Sequence, residues 1–316
     1  MGKIKILFMG TPHIADEILK ELLNNEDIEV TAVVTQPDRP VGRKKKLTPP
    51  PVKVTAMNNN IRVFQPLKVR RNKELKEELV SLAPDFILVV AFGQILPPSV
   101  LKIPKYIPVN IHASVLPKYR GASPIQSALL NRDTETGVTF MKMNDKMDEG
   151  DIFLIEKVKI DEVDDYFSLE EKLINASRKI LRTFFNDYLS GKIKAVPQNH
   201  QEASYCKKIG KEDGFLNFND DVNLLIGKVK AYSLWPKAYF RYEDKVYIVS
   251  DALAIKQVHN FQNGYVEINK KYMRIYASNG YLDVLRIKPQ SKKEMSVSAF
   301  YNGSGKNMNG KILVSD

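Results

Sequence analysis

The chain has 316 residues, 43% of them hydrophobic and 27% charged, which suits soluble globular folding and leaves room for two cores. Its net charge of +11 favours a polyanionic partner, although nucleic acid, an acidic membrane surface and a Lys-rich proteome all fit that balance. A single cysteine, Cys206, excludes an internal disulfide and fits a reducing cytoplasm; no Cys/His set has zinc spacing, and the Lys-interrupted apolar run 4–9 is too short for a secretion signal or a membrane span.

In chain order, residues 3–10 read as a strand and 12–24 as a helix with Ile14, Ile18 and Leu22 on one face. Residues 29–35 and 61–64 read as strands, and 72–82 as a second helix. The nearly all-apolar run 86–91 has the character of a strand covered on both faces in a parallel sheet. Residues 108–112 and 137–143 complete the set. Strands alternating with helices imply an open, mostly parallel α/β sheet, with ligands expected at the carboxyl ends of its strands. Residues 168–189 form a long helical pattern that Gly191 and Pro197 end, and 190–208 read as a linker. Beyond it the texture alternates, over 238–242, 246–250, 265–268, 273–277 and 281–287, with Asn279-Gly280 as a hairpin signal. Five short strands within about a hundred residues suggest a small OB-like β-barrel. The expected division is therefore a catalytic domain over 1–189, a linker over 190–208 and a barrel over 209–316.

The run Val109-Asn110-Ile111-His112 is the most informative. Residues i and i+2 of a strand share a face, so Asn110 and His112 aim into one pocket at a strand's carboxyl end. Ser114, Pro117, Gly121 and Pro124 follow as a stiff loop, and Met147-Asp148-Glu149-Gly150-Asp151 supplies carboxylates on a second turn. An Asn, a His and an Asp together can orient a carbonyl, stabilise its oxyanion and move a proton, which is acyl-transfer chemistry. His200 and His259 read as surface or packing residues, and His13 lies near the start of the first helix. Met9-Gly10-Thr11-Pro12 lacks the glycines of a dinucleotide fingerprint and reads as a tight strand-to-helix turn.

Residues 36–51 form a long loop after the second strand, with prolines at both ends and Arg39, Arg43, Lys44, Lys45 and Lys46 in its middle. Most charge runs are solvated faces. This one lies on the carboxyl side of the same sheet as His112, where phosphate contacts can deliver a polyanionic substrate. Its Lys/Pro content suggests a loop without fixed order.

Asn110-Ile111-His112-Ala113-Ser114-Val115-Leu116-Pro117 is similar to the Asn-x-His-x-Ser-Leu-Leu-Pro signature of the formyltransferases that use 10-formyltetrahydrofolate. Residues 118–125 resemble the family's Arg-Gly-Ala-x-Pro-Ile segment, and 147–151 its Asp-x-Gly-Asp turn. Residues 9–12, 35–47, 233–236 and 288–296 resemble further blocks of the branch whose acceptor is methionyl initiator tRNA, so the likeness runs through nearly the whole chain. Val115 stands for the usual Leu, Glu149 for Thr and Phe218 for Trp, and Lys237-Ala238 follows Trp-Pro where a small residue is common; none removes a polar group from the site.

The resemblance implies a formyltransferase fold in the first domain. It implies Asn110 and His112 as oxyanion donors, with Asp148 holding His112 charged and assisting proton removal. It also implies a folate lying beside Ser114, Val115, Leu116 and Pro117, with Phe92, Gly93, Gln94 and Ile95 lining the pteridine slot. Arg39, Arg43, Lys44, Lys45 and Lys46, with the barrel, are expected on the tRNA; no metal, no membrane and a cytoplasmic monomer complete the expectation. Two rivals differ in class. An amino-sugar or glycinamide formyltransferase needs no basic insertion, and a non-catalytic RNA-binding protein leaves the Asn/His/Asp set unexplained.

Overall fold

The computed structural model describes residues 2–42 and 45–313, and it divides into two compact units. The first unit comprises Met1–Pro124, Glu135–Lys159 and Glu170–Cys206; the second comprises Ile125–Thr134, Ile160–Leu169 and Lys207–Asp316.

The chain starts with β1 (Ile4–Gly10), α1 (His13–Leu23) and β2 (Ile28–Val34). The hairpin β3 (Arg39–Val41) and β4 (Lys46–Thr48) follows, then α2 (Pro51–Asn58), β5 (Val63–Phe64), α3 (Lys73–Ser81) and β6 (Phe86–Val90). Next come α4 (Pro98–Leu101), β7 (Ile107–His112), β8 (Arg120–Gly121), α5 (Pro124–Leu130), β9 (Glu135–Lys142) and β10 (Ile152–Lys159). After α6 (Tyr166–Leu189) lies the two-residue β11 (Tyr205–Cys206).

The central sheet has strand order β10-β9-β7-β6-β1-β2-β5. Strands β5, β2, β1, β6 and β7 run parallel, and β6 is buried at every position, as its unbroken apolar run requires. The strand expected at 137–143 joins the sheet, but as β9 it runs antiparallel to β7, and β10 returns antiparallel to it. A hairpin-like return leaves the β7 loop and the 147–151 turn at one end of the sheet. Sequence alternation reports burial, not strand direction, so this reversal was not legible.

The loop at 36–51, expected without fixed order, contains the antiparallel β3–β4 ladder, with Arg39 opposite Thr48 and Val41 opposite Lys46. Arg43 and Lys44 lie outside the described residues. Most of the stretch 190–208, read as a linker, falls in the first unit, where Tyr205 and Cys206 pair in parallel with Arg120 and Gly121.

The second unit adds α7 (Val222–Ala231), β12 (Tyr239–Tyr242), β13 (Lys245–Lys256), β14 (Val266–Ile268), β15 (Met273–Ala277), β16 (Gly280–Pro289), β17 (Met295–Ser296) and α8 (Val297–Asn302). Its sheet is antiparallel in the order β12-β13-β16-β15-β14, with β17 on β16. The register of β13 against β16 shifts around Asp251, and such bulges curl a sheet toward a half-barrel. Asn279-Gly280 turns β15 into β16, with Ala277 opposite Gly280. Phe218, where the resembling family often has Trp, is fully buried 6.2 Å edge-on to Phe240, so the smaller ring still fills the core.

Candidate active site

The site grows from the carboxyl end of β7, where Asn110 and His112 share a face, paired across to Met141 and Thr139 of β9. His112 is 6% exposed. Its Nε2 lies 2.9 Å from the Tyr119 carbonyl, and because a carbonyl only accepts, Nε2 carries a hydrogen there. Its Nδ1 faces Asp148 Oδ2 at 3.7 Å, an ionic separation longer than a hydrogen bond. That same oxygen accepts from the Gly121 amide at 2.8 Å, which leaves Oδ1 without a partner among the described residues. Asn110 is half-buried, and its side-chain amide makes no hydrogen bond among the described residues. A polar amide kept without an internal partner beside the buried His112 and the half-buried Asp148 is free to serve an exogenous carbonyl.

The loop after β7 is braced from within. Ser114 Oγ donates to the Lys118 carbonyl at 2.5 Å, and Thr139 Oγ1 donates to the Ser114 carbonyl at 2.6 Å while accepting from the Leu116 amide at 3.1 Å. Leu116–Pro117 is cis. The polar groups of Ser114 and the Leu116 amide are therefore used internally, and Val115 and Pro117 offer partly exposed apolar surface. Tyr119 sits at φ 60° and Asp148 at φ 54°, so both turns bend sharply at residues that present groups to His112.

A network centred on the buried Arg120 and Gln198, which the sequence reading does not contain, ties the two turns together. Arg120 is 1% exposed, and its Nε and Nη2 donate to Gln198 Oε1 at 3.1 and 2.7 Å. Its remaining contacts are Tyr205 Oη at 3.2 Å, His200 Nδ1 at 3.1 Å and Glu149 Oε1 at 3.7 Å. Gln198 Nε2 in turn donates to the carbonyls of Asp148 and Gly150, at 2.9 and 2.7 Å. Gln198 stands in the polar stretch expected to be a linker, where no periodicity marks a buried residue. His200, read as a surface or packing residue, is a member of this network; His13 pairs at 3.1 Å with Glu171 at the surface, and His259 bonds the Ala277 carbonyl at 2.8 Å.

A second wall lies at the ends of β1, β2 and β6. The Phe92 carbonyl accepts from Thr11 Oγ1 at 3.0 Å and from Gln36 Nε2 at 3.1 Å, which locks this loop to the turn after β1 and the start of the basic segment. Phe92 is buried, while Gly93 (φ 84°), Gln94 and Ile95 carry backbone N–H and C=O groups with no partner among the described residues. An unpaired strip of main chain is a surface for reading the edge of a polar heterocycle.

The hairpin's base is fixed and its tip is cationic. Asp38 accepts from Gln65 at 2.7 Å and from Lys53 at 2.9 Å, and these bonds hold its carboxyl below the usual range. Arg39, Lys45 and Lys46 are exposed and make no ion pair among the described residues. Among the described residues no group of three or more His, Cys, Asp or Glu is placed to hold a metal, and no helix is long and apolar enough to cross a membrane.

The family profile described as formyl transferase matches residues 2–184, and that of the formyl transferase C-terminal domain matches 208–305; fold and site thus define a two-part formyl transferase. The methionyl-tRNA formyltransferase of Listeria monocytogenes serotype 4b (strain CLIP80459) is 39% identical over 305 residues, 96% of this chain and 97% of that protein. That of Mesoplasma florum is 37% identical over 301 residues, 95% of each. The chain belongs to the methionyl-tRNA formyltransferase family. Among solved structures, HypX from Aquifex aeolicus in complex with tetrahydrofolic acid superposes with a TM-score of 0.63 at 16% identity, over 96% of this chain and 48% of that one. WlaRD, a sugar 3N-formyl transferase solved with dTDP and 5-N-formyl-THF, gives 0.63 at 20% identity, over 93% of this chain and all of that one. At those identities the likeness is one of fold.

Proposed function

We propose that this protein transfers the formyl group of 10-formyltetrahydrofolate to the free amino group of methionyl initiator tRNA, with Asn110, His112 and Asp148 as its catalytic residues. The observation that carries the assignment is the partnerless amide of Asn110 on the face it shares with His112, whose ring looks onto Asp148. Asn110 donates to the formyl oxygen as it gains charge. Imidazolium at His112 stabilises the same oxyanion electrostatically, in a pocket where little water competes. The neutral methionyl amine forms the new C–N bond, Asp148 accepts the proton it sheds through the free Oδ1, directly or by a water, and that proton passes to N10 of the folate as the C–N10 bond breaks. The pteridine edge lies along the unpaired main chain of Gly93, Gln94 and Ile95 behind Phe92, and the ring system packs against Val115, Leu116 and Pro117 beside Ser114. Arg39, Arg43, Lys44, Lys45 and Lys46 contact the tRNA backbone, as does the barrel unit.

The acceptor is supported by the relatives. Identity of 37–39% over nearly the full chain to tRNA enzymes stands against 20% to a sugar transferase. The test is formyl transfer from 10-formyltetrahydrofolate to charged initiator tRNA, with free methionine and uncharged tRNA as controls. Asn110→Ala and His112→Ala are each expected to lower kcat about 100- to 1000-fold, the usual effect of losing one oxyanion donor. Full activity in either variant removes that residue from the catalytic set; product from free methionine removes the tRNA acceptor.

A further inference from the structure

Tyr205 is 66% exposed, yet it is held firmly in place. Its neighbour Ser204 accepts from the Tyr119 amide through Oγ at 2.9 Å and from the Arg120 amide through its carbonyl at 2.9 Å, and it donates to the Pro117 carbonyl at 3.2 Å. Tyr205 and Cys206 then run in parallel register with Arg120 and Gly121. At the tip of the ring, Oη accepts from Arg120 Nη1 at 3.2 Å and points its hydrogen at Glu149 Oε1, 3.5 Å away. The ring is thus fixed at both ends while most of its surface faces solvent.

His200 hangs on the same guanidinium. Arg120 Nη2 donates to His200 Nδ1 at 3.1 Å, so Nδ1 is the accepting nitrogen and the ring hydrogen stands on Nε2. His200 is exposed, it opens a short helical turn over His200–Glu202, and its Nε2 makes no hydrogen bond among the described residues. Lys146, 69% exposed, lies 3.6 Å from Glu149 on the same rim. Two planar rings are thereby set around one buried guanidinium, with an ammonium group beside them.

This platform lies on the acceptor side of the site. In the sheet order β10-β9-β7-β6, the strand that carries Asn110 and His112 has β6 and the donor loop 92–95 on one flank. On its other flank stand β9 and β10, joined by the 147–151 turn. Gly121 gives its amide to Asp148 Oδ2 at 2.8 Å, so Tyr205 stands one ladder rung and one residue from the carboxylate assigned above to the incoming amine. An aminoacyl ester carries its amine only a few bonds from the ribose. A group that meets the base of that nucleoside must therefore stand close to Asp148 without touching the amine.

We propose that Tyr205 stacks on the terminal base of the acceptor tRNA and that His200 donates from Nε2 to an oxygen of the same nucleotide. The proposal rests on the acceptor reading above and adds which residues place the last nucleoside. Every base has a π-face, and stacking it on a ring that is already fixed costs little ordering entropy. The outward N–H of His200 and the ammonium of Lys146 suit ribose and phosphate oxygens.

The experiment uses the full-length protein and initiator tRNA chemically charged with methionine, ending either in adenosine or in an abasic ribose. For the wild-type protein, KM is expected to be about tenfold lower with the base than without it, with kcat unchanged. In Tyr205→Leu the two tRNAs are expected to give the same KM, close to that of the abasic substrate in the wild-type protein. Tyr205→Phe keeps the ring, loses the tie to Arg120 and is expected to keep most of the base preference. His200→Ala is expected to raise KM about threefold for both tRNAs alike, as loss of one hydrogen bond does. KM for the folate stays in all three variants, and circular dichroism and thermal melting check their folding. Equal KM for the two tRNAs in the wild-type protein overturns the proposal, and that comparison needs no variant to fold. So does a Tyr205→Leu protein that keeps the base preference, or a Tyr205→Phe protein that loses it as fully as Tyr205→Leu, which would make the bond to Arg120 and not the ring the useful part. Unchanged KM in His200→Ala removes His200 from the platform. Failure of the wild-type protein to formylate either tRNA overturns the acceptor reading itself, and the platform with it.

Discussion

At the scale of single residues, the site depends on groups that make no contact with His112 or Asn110. Gly121 sits at φ 120°, and a Cβ there would lie 2.2 Å from the Cys206 carbonyl oxygen; at Gly150 it would lie 1.7 Å from that of Lys142. Both positions therefore need glycine for close backbone approach, and Gly121 needs it for its left-handed backbone as well. Gln198 matters more, because its two ends do opposite work: the carbonyl holds the buried Arg120 guanidinium and the amide holds the Asp148 turn. Gln198→Glu separates these roles. A carboxylate keeps a partner for Arg120 and loses both donors to the turn, so kcat is expected to fall about tenfold with a stability loss of about 1–3 kcal/mol. Gln198→Ala also strips Arg120 of its main acceptor and is expected to cost about 3–5 kcal/mol. Urea unfolding and single-turnover kinetics measure both; unchanged kcat in Gln198→Glu would show that Asp148 holds its place without the amide.

At the scale of elements, the ends of β1, β2, β6 and β7 collect the candidate site, as an open α/β sheet dictates: main-chain groups at strand ends are unpaired and side chains converge there. The antiparallel return through β9 and β10 brings the 147–151 turn to the end of β7, which strand alternation alone does not announce. The β3–β4 hairpin is the other element with an assigned task. Replacing residues 39–48 by a Gly/Ser segment leaves the Asp38–Lys53–Gln65 base intact. It is expected to raise KM for tRNA and to flatten its dependence on salt by roughly 0.7–0.9 in log–log slope per lost phosphate contact. KM for the folate should stay. If both substrates weaken together, the hairpin serves the fold and not the RNA.

At the scale of the whole molecule, the two units differ in what titrates. Burial pushes the Tyr232 phenol up to about 12 from an ordinary value of 10.0, with Asp213 adding to the shift, and Tyr239, Tyr242, Tyr247, Tyr272 and Tyr276 of the same unit are also raised. A phenol whose folded value lies above its unfolded one contributes stability that is complete below pH 10 and is lost as pH rises toward 12. The second unit is thus expected to lose stability in that window. Trp235, the single tryptophan, lies in this unit and reports on it alone. Tyr232→Phe should flatten the alkaline decline in urea midpoint read from its fluorescence; an identical decline in both proteins would rule out Tyr232 as a contributor.

Much was legible in the linear chain because it is carried by local pattern. The unbroken apolar run of β6, the face shared by Asn110 and His112 and the Asn279-Gly280 turn are each set by a few neighbouring residues, and the structure keeps all three. Helices α2, α4, α5, α7 and α8 are not read from the sequence, being short or lying in stretches without a clean period. The sequence by itself determined the fold class and the family, and it pointed to the Asn110, His112 and Asp148 set proposed above as the reacting groups, since strand period, turn chemistry and motif spacing are properties of neighbours. Only the tertiary structure decided that β9 and β10 run antiparallel, that Gln198 and His200 reach across about eighty residues to Arg120, and that Gln94 ties the loop after β6 to Pro66 and Val69. Those contacts join residues far apart along the chain, and no local preference encodes a partner that burial and hydrogen-bond satisfaction select only once the chain has closed.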